Sequence, residues 1–342
     1  MPSVHESFPL VLRRPLRWRD APGGLVELHD PKRDSWARLV PWTRDVFRGL
    51  EGGEGVPALL DRVGAQREAS LRRLLHSLAS VGYLDIQVPA PVLLAERFEV
   101  VEELGRGGVG IAYRALDRES LGHVVVKRAW GFIHDIRLAE AALAQEEANL
   151  RALDHPCVVR FVSSFREQDR AHLARSLAPG RSLTAAYDAA PADAPTTLRV
   201  ARDVGAALAH FHARSMLLLD HKPGNLYDDG ERVRLVDVGN AETVGPAGVV
   251  KLRGSRGTRG FTPPEMENER RADARSDVWG LGRMVAFVRT GRMFRSSPAL
   301  ADVVEGLTLA ERSLVERLCA ECPSERPPDV TRALALIEAT FT

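Results

Sequence analysis

Leu219-Asp220-His221-Lys222-Pro223-Gly224-Asn225, followed by Val236-Asp237-Val238-Gly239, is the stretch on which the reading of this chain turns. It offers a carboxylate, a lysine and an amide in quick succession, then a second carboxylate just after a short apolar run. Hard divalent cations take oxygen ligands of this kind and share them with phosphate oxygens. Together these groups can hold a nucleotide triphosphate, its magnesium ions and a hydroxyl acceptor. Leu226-Tyr227 and Arg232 to Val236 have the length and composition to form a hairpin between Asn225 and Asp237.

Upstream lies Gly105-Arg106-Gly107-Gly108-Val109-Gly110, then Val125-Val126-Lys127. Glycines at 105, 107 and 110 let a backbone approach phosphates without interference from a Cβ. The motif sits between two strand patterns, Phe98 to Leu104 and Ile111 to Leu116, and not ahead of a helix. That disfavours a dinucleotide-binding turn, which needs a helix N-terminus. The order and context of all these motifs resemble the protein-kinase signature of the eukaryotic-like Ser/Thr class, from about Phe98 to the C-terminus.

The resemblance implies an α+β, bilobal kinase fold with a β-rich small lobe (about 93–178) and a helical large lobe (about 179–342). It implies ATP and Mg2+ as cofactors and a protein or peptide Ser/Thr hydroxyl as acceptor. In that reading Gly105, Gly107, Gly110, Ala112 and Val125 surround the nucleotide, and Lys127 holds its α- and β-phosphates. Glu146 orients Lys127; the family's spacing to the run Leu150 to Pro156 selects it over Glu147. Asp220 accepts or orients the proton of the attacking hydroxyl, and Lys222 neutralises charge on the transferring phosphoryl group. Asn225 and Asp237 take the metal. Thr258, in Gly257-Thr258-Arg259-Gly260-Phe261-Thr262-Pro263-Pro264-Glu265, reaches Asp220 and Lys222, as in Ser/Thr kinases. Glu265 pairs with Arg326, and Asp277 supports the catalytic-loop backbone.

Several residues depart from the family pattern. Leu218 and Leu219 stand where the family has His-Arg, so the arginine that grips a phosphorylated activation loop is missing. Activity should then depend little on loop phosphorylation, although Ser255 and Thr258 lie among Lys251, Arg253, Arg256 and Arg259. That basic loop could instead meet an acidic substrate. Val238 replaces a phenylalanine and Val109 an aromatic residue. Ala112 stands for a valine and Val125 for an alanine, changes of opposite sign in pocket volume. The hinge Ala174-Arg175-Ser176-Leu177-Ala178-Pro179-Gly180 lacks its usual acidic residue.

Residues 1–92 read as a separate domain: strands Leu25 to His29 and Trp36 to Val40, a helix opened by Pro41, helices from Val56 and Glu68, then a strand from Tyr83. Hairpin, three helices and strand suggest a small winged-helix-like unit; residues 1–24 give no clear signal. Three roles stay open for it. It could bind nucleic acid through Arg62, Arg67, Arg72 and Arg73, which the interspersed Glu51, Glu54, Asp61 and Glu68 disfavour. It could bind a peptide by strand addition, as the elements that capture leader peptides in ribosomal peptide maturation do. It could pack on the small lobe as a regulatory element. The alternatives for the whole chain are a pseudokinase scaffold and a kinase acting on a ribosomal peptide precursor.

The remaining features set limits. With 342 residues, 44% hydrophobic and 27% charged, and a formal net charge of +1, the chain has neither a nucleic-acid-like charge excess nor a membrane-like composition. It shows no signal peptide and no spanning apolar run, so a cytoplasmic location is expected. The three cysteines argue against a disulfide framework. Cys319 and Cys322 form C-x-x-C without a second pair, and Cys319 falls on the apolar face of Leu314, Val315 and Leu318, as a buried helix cysteine would.

Overall fold

The computed structural model describes residues 10–12, 16–30, 35–80, 83–86, 91–106, 110–130, 136–245, 247–252, 257–258, 260–294 and 304–342. Gly107, Gly108, Val109, Arg253, Ser255, Arg256 and Arg259 lie outside the described residues. The chain forms two compact units: Met1–Leu121, Lys127–Ala141 and Arg166–Ala171 in one, Gly122–Val126, Ala142–Phe165 and His172–Thr342 in the other.

In the first unit, β1 (Leu10–Leu12) and β2 (Trp18–Asp20) precede the expected hairpin of β3 (Val26–Asp30) and β4 (Ser35–Leu39). Strands β2, β3 and β4 make one antiparallel sheet, with Trp18 opposite Leu28 and Leu28 opposite Ala37. The helices follow as α1 (Thr43–Glu51), α2 (Val56–Val63) and α3 (Glu68–Ser80), then β5 (Leu84–Ile86). Pro57 sits in the first turn of α2, where a missing N–H costs nothing, and Gly64 at φ 85° ends that helix. Strand β5 returns to pair with β1, placing Leu10 opposite Ile86. The two early strands are short, and the partners of β1 lie far along the chain, so no local pattern announces them.

Amphipathic spacing explains the core. Leu71, Leu75 and Leu78 of α3 fall on one helical face and are buried with Val46, Phe47, Leu50 and Leu59. The same cluster contains Ile111, Tyr113 and Trp130. Ile111 and Tyr113 belong to β8 (Gly110–Asp117), which pairs antiparallel with β7 (Phe98–Arg106), itself paired with β6 (Leu93–Leu94). Burial alternates strictly along β8, so Ile111 and Tyr113 face this core while Ala112 faces the other way, opposite Gly105. The N-terminal segment and the β7–β8 hairpin thus share a single apolar core. Strand β9 (His123–Ala129), helix α4 (Ile136–Ala152), and strands β10 (Phe161–Glu167) and β11 (Arg170–Ser176) contribute residues to both units.

In the second unit, α5 (Leu183–Tyr187) and α6 (Ala194–His212) lead to β13 (Met216–Leu217). Strand β12 (Arg181–Ser182) joins β14 (Leu226–Asp228) and β15 (Val233–Leu235) in one sheet, so the expected hairpin between Asn225 and Asp237 is present. Short strands β16 (Glu242–Thr243) and β17 (Val250–Lys251), helix α7 (Pro264–Asn268) and β18 (Arg271–Ala272) follow. Helices α8 (Ala274–Thr290), α9 (Leu309–Leu318) and α10 (Val330–Phe341) pack with α6 around Leu208, Phe211, Val278, Leu281, Phe287 and Ile337.

The sequence pattern predicts a helix around Asp277 to Thr290 and a strand over Val158 to Ser163, and both boundaries differ in the structure. Helix α8 starts before Asp277, because Asp273 caps it and Ser276 bonds back to the cap. Val158 joins no strand and makes only a bridge to Leu235; β10 begins at Phe161. Cys319 is buried against the Trp279 carbonyl and burial pushes its thiol up to about 12, while Cys322 is exposed. Among the described residues no helix is long and apolar enough to cross a membrane.

Asp117, fully buried, closes the first unit's hairpin. Its carboxylate accepts from Arg97 Nε at 2.7 Å and Nη2 at 2.8 Å, and from Ser120 and the Glu119 amide. The Arg97 guanidinium first, then the other two donors, hold it well below the ordinary carboxylate value, against the effect of burial. A depressed folded pKa means that the stability it contributes is complete above about pH 4 and declines as pH falls further. Asp117→Asn is expected to flatten this acid limb, read as the urea midpoint between about pH 6 and about pH 2.

Candidate active site

The site is best built from Asp277, on the first turns of α8, with no exposed surface. Its carboxylate accepts the backbone N–H of Leu218 at 3.0 Å and of Leu219 at 2.9 Å, and bonds His212 Nε2 at 2.9 Å. Burial alone would raise the Asp277 pKa; the His212 hydrogen bond first, then the neighbouring histidines and the Leu219 amide, outweigh it and hold the group low. Burial pushes His221 down, toward the neutral ring. The Cα of Gly280, one turn along α8, lies against that ring, and any Cβ there would overlap it.

The grip on two successive amides sets the loop's conformation. Leu219 adopts φ 65°, a left-handed conformation that costs a non-glycine residue roughly 1–2 kcal/mol. This turn presents Asp220, 6% exposed. Thr258 Oγ1 donates to Asp220 Oδ1 at 2.8 Å, and Lys222 Nζ donates to Thr258 Oγ1 at 3.0 Å and to Asp220 Oδ2 at 3.3 Å. Asn240 Nδ2 donates to the same Oδ2 at 3.1 Å. Asn225 Nδ2 donates to the Asp220 carbonyl at 3.2 Å, which leaves the amide's Oδ1 to accept a cation. Asp237 Oδ1 accepts the Gly239 amide at 3.0 Å, and Asn149 of α4 pins the segment beyond it through the Val238 and Ala241 carbonyls.

The structure therefore brings Asp220, Lys222, Asn225 and Thr258 into one bonded cluster, with Asp237 leading into the segment that carries Asn240. Glu146 belongs to the same unit and is buried on α4. In the first unit, Lys127 lies on β9, Gly105 pairs with Ala112, and Gly110 approaches the Arg128 carbonyl so closely that a Cβ would clash. Val125, also on β9, is buried.

Asn225 and Asp237 offer few oxygens, and among the described residues no group of three or more His, Cys, Asp or Glu could hold a metal alone. Magnesium bound through one or two protein oxygens plus substrate phosphates fits such a sparse donor set.

Asn240 and Arg175 escaped the sequence reading. Asn240 follows Gly239 directly, but only the fold turns its amide onto Asp220. Arg175 lies in the quoted hinge stretch and is buried. The Glu265–Arg326 pair is bidentate at 2.8 and 2.9 Å, with Ser276 also donating to Glu265. Leu219 packs in an apolar cluster with Leu217, Leu252, Met266 and Ala272.

The comparisons agree with this geometry. Residues 98–333 match the protein kinase domain family. The chain belongs to the protein kinase family. Over 60% of its length it is 31% identical to the serine/threonine-protein kinase pkn2 of Myxococcus xanthus, covering 26% of that protein. It is 28% identical over 57% of its length to the L-type lectin-domain containing receptor kinase V.5 of Arabidopsis thaliana, covering 30% of it. It is also 26% identical over 66% to the inactive serine/threonine-protein kinase PLK5 of Mus musculus, covering 40%. The chain thus spans well under half the length of these relatives.

Two variants test the architecture. Glu265→Ala leaves the buried Arg326 charge uncompensated and is expected to cost about 3–5 kcal/mol of unfolding free energy in urea melts. Asn240→Ala removes one hydrogen bond of about 0.5–1.5 kcal/mol to Asp220. It should lower any phosphoryl transfer roughly two- to tenfold with the far-ultraviolet circular dichroism unchanged.

Proposed function

We propose that this chain is an ATP- and Mg2+-dependent Ser/Thr protein kinase, transferring the γ-phosphoryl group of ATP to a Ser or Thr hydroxyl of a protein or peptide. The observation that carries the reading is the bonded cluster of Asp220, Lys222 and Thr258, with Asn225 and Asp237 beside it. Asp220, with both carboxylate oxygens held by donors, is oriented to accept the proton of an incoming hydroxyl. Lys222 stands next to it as a point charge for the phosphoryl oxygens. Bound magnesium would supply charge neutralisation between the phosphates, held by Asn225 and Asp237. The family pattern assigns Lys127 and the glycines at 105, 107 and 110 to the remaining phosphates, Ala112 and Val125 to the base, and Glu146 to orienting Lys127. Kinship to relatives described as serine/threonine-protein kinases supports the acceptor class.

Activity in this reading does not hinge on activation-loop phosphorylation. Apolar packing of Leu219 with Leu252 and Met266, where the family uses an arginine, supports this reading.

The N-terminal segment to about residue 92 acts as a winged-helix-like domain that braces the small lobe, a reading supported by the core it shares with Ile111, Tyr113 and Trp130. The β4 edge, with Trp36 42% exposed, is the surface on which a peptide ligand would add as a strand. The second reading, a pseudokinase scaffold, draws on the likeness to a relative named as inactive.

Transfer of labelled γ-phosphate from ATP with magnesium, to the chain and to a generic basic protein, decides between them. Wild type is expected to incorporate label, chelation of magnesium to abolish it, and Asp220→Asn to reduce it by at least ~10²-fold with an unchanged melting temperature. Equal incorporation by Asp220→Asn would sink the assignment.

A further inference from the structure

A concave site of about 500 Å³ lies wholly within the second unit, and phosphoryl transfer as proposed above makes no use of it. Its volume falls in the range of ordinary ligand and side-chain pockets. Arg160, Arg232 and Arg234 make its lining basic, while Val158, Leu177 and Pro179 give it an apolar portion. Arg234 is already neutralised: its Nη1 donates to Asp229 Oδ2 at 2.5 Å. No side-chain hydrogen bond or ion pair joins Arg160 or Arg232 to another of the described residues.

Paired backbone carries these cations. Val233 and Leu235 of β15 are buried, so strand alternation puts Arg232 and Arg234 together on the outward face. Val158 bridges Leu235, which ties the neighbouring segment to the same strand. On that segment the Arg160 amide donates to Ser176 Oγ at 2.9 Å, and the Ser176 amide donates to the Arg160 carbonyl at 2.8 Å. Asp154 is the single carboxylate among the lining residues. Burial first, then the charges of Arg214 and Arg232, hold His155 below its ordinary value, so its ring adds no charge at neutral pH. With Arg234 spent on Asp229, two free guanidiniums face one carboxylate, and the pocket is net positive. One exposed arginine is ordinary solvated surface. Two without partners on one concave, partly apolar surface are a matched set for carboxylates joined to an apolar group.

We propose that this pocket docks an acidic segment of a protein partner, an extended peptide that sets carboxylates against Arg160 and Arg232 and one apolar side chain against Val158, Leu177 and Pro179. Charge complementarity gives the sign of the partner, and the planar fork of arginine takes a carboxylate through two parallel hydrogen bonds. Exposure gives its form. Arg160, Pro179 and Arg232 are all exposed, so the rim is open to a chain passing across it, whereas an enclosed cavity would select a free small molecule. The apolar portion favours a peptide over a nucleic-acid backbone, which carries no apolar side chain to fill it. Docking needs no nucleotide, so the inference goes beyond the phosphoryl-transfer reading and does not depend on it.

The test uses the full chain and fluorescein-labelled short peptides of glutamates flanking a central leucine, read by fluorescence anisotropy. Matched probes carry glutamine for the glutamates, or serine for the leucine. Wild type is expected to bind the glutamate–leucine probe at least about tenfold more tightly than either matched probe. Arg160→Ala with Arg232→Ala should weaken that binding at least about tenfold. Arg317→Ala with Arg332→Ala removes the same net charge from α9 and α10, and should stay within about twofold of wild type. Arg160→Glu with Arg232→Glu should reverse the preference, taking up a probe with lysines in place of the glutamates. All these arginines are exposed, so the melting temperature should not move in any variant. Absence of binding by wild type, or equal weakening by the two alanine pairs, would overturn the proposal. Tighter binding of a labelled oligouridylate, lost in Arg160→Ala with Arg232→Ala, would overturn it in favour of a nucleic acid. Transfer of phosphate plays no part in these readouts, so a chain inactive as a kinase would still decide the docking question.

Discussion

Asp277 is the constraint on which the candidate site depends. A carboxylate with no exposed surface is expensive, and here it is retained because it accepts two successive main-chain amides and a histidine. Those bonds hold Leu219 in a left-handed conformation it would not adopt alone. Once Leu219 is turned, Asp220 has one direction to face, and Thr258, Lys222 and Asn240 complete its hydrogen bonds from three different parts of the chain. The helix α8 that carries Asp277 is in turn packed between α6 and α9, so a helical core fixes the geometry of a loop.

Buried charge recurs through the second unit, and in two places it is met by specific partners. Arg326 meets Glu265 in a two-pronged pair, and Asp228 accepts from Tyr187 and Arg199 beneath β14. Arrangements of this kind add little net stability over an apolar core, yet breaking one side is severe, so they fix geometry more than they raise stability. Apolar packing stands where the family pattern has an arginine: Leu219 lies in a cluster with Leu252 and Met266.

Much of this was legible in the residues. The order of Gly105, Lys127, Glu146, Asp220, Asn225 and Asp237 is a pattern of spacing, and spacing survives without coordinates. Helical periodicity gave α3 because its partners in the core impose a repeat on the chain itself. Strands β1 and β2 were invisible, since three-residue strands carry no period and β1 finds its partner only near residue 85. The start of α8 was missed although its capping signal, Asp273 with Ser276, was written in the sequence.

The sequence by itself determined which functional groups exist and in what order, and with them the family. It also determined most helices, because amphipathic repetition is a local property. The tertiary structure alone decided which groups meet. Asn240 reaches Asp220, Asn149 reaches past Asp237, and an N-terminal segment shares its core with Ile111, Tyr113 and Trp130. The burial of Arg175 was decided in the same way. Contacts of that kind depend on distances between residues far apart in the chain, and no local pattern encodes the dielectric surroundings that give a charge its cost.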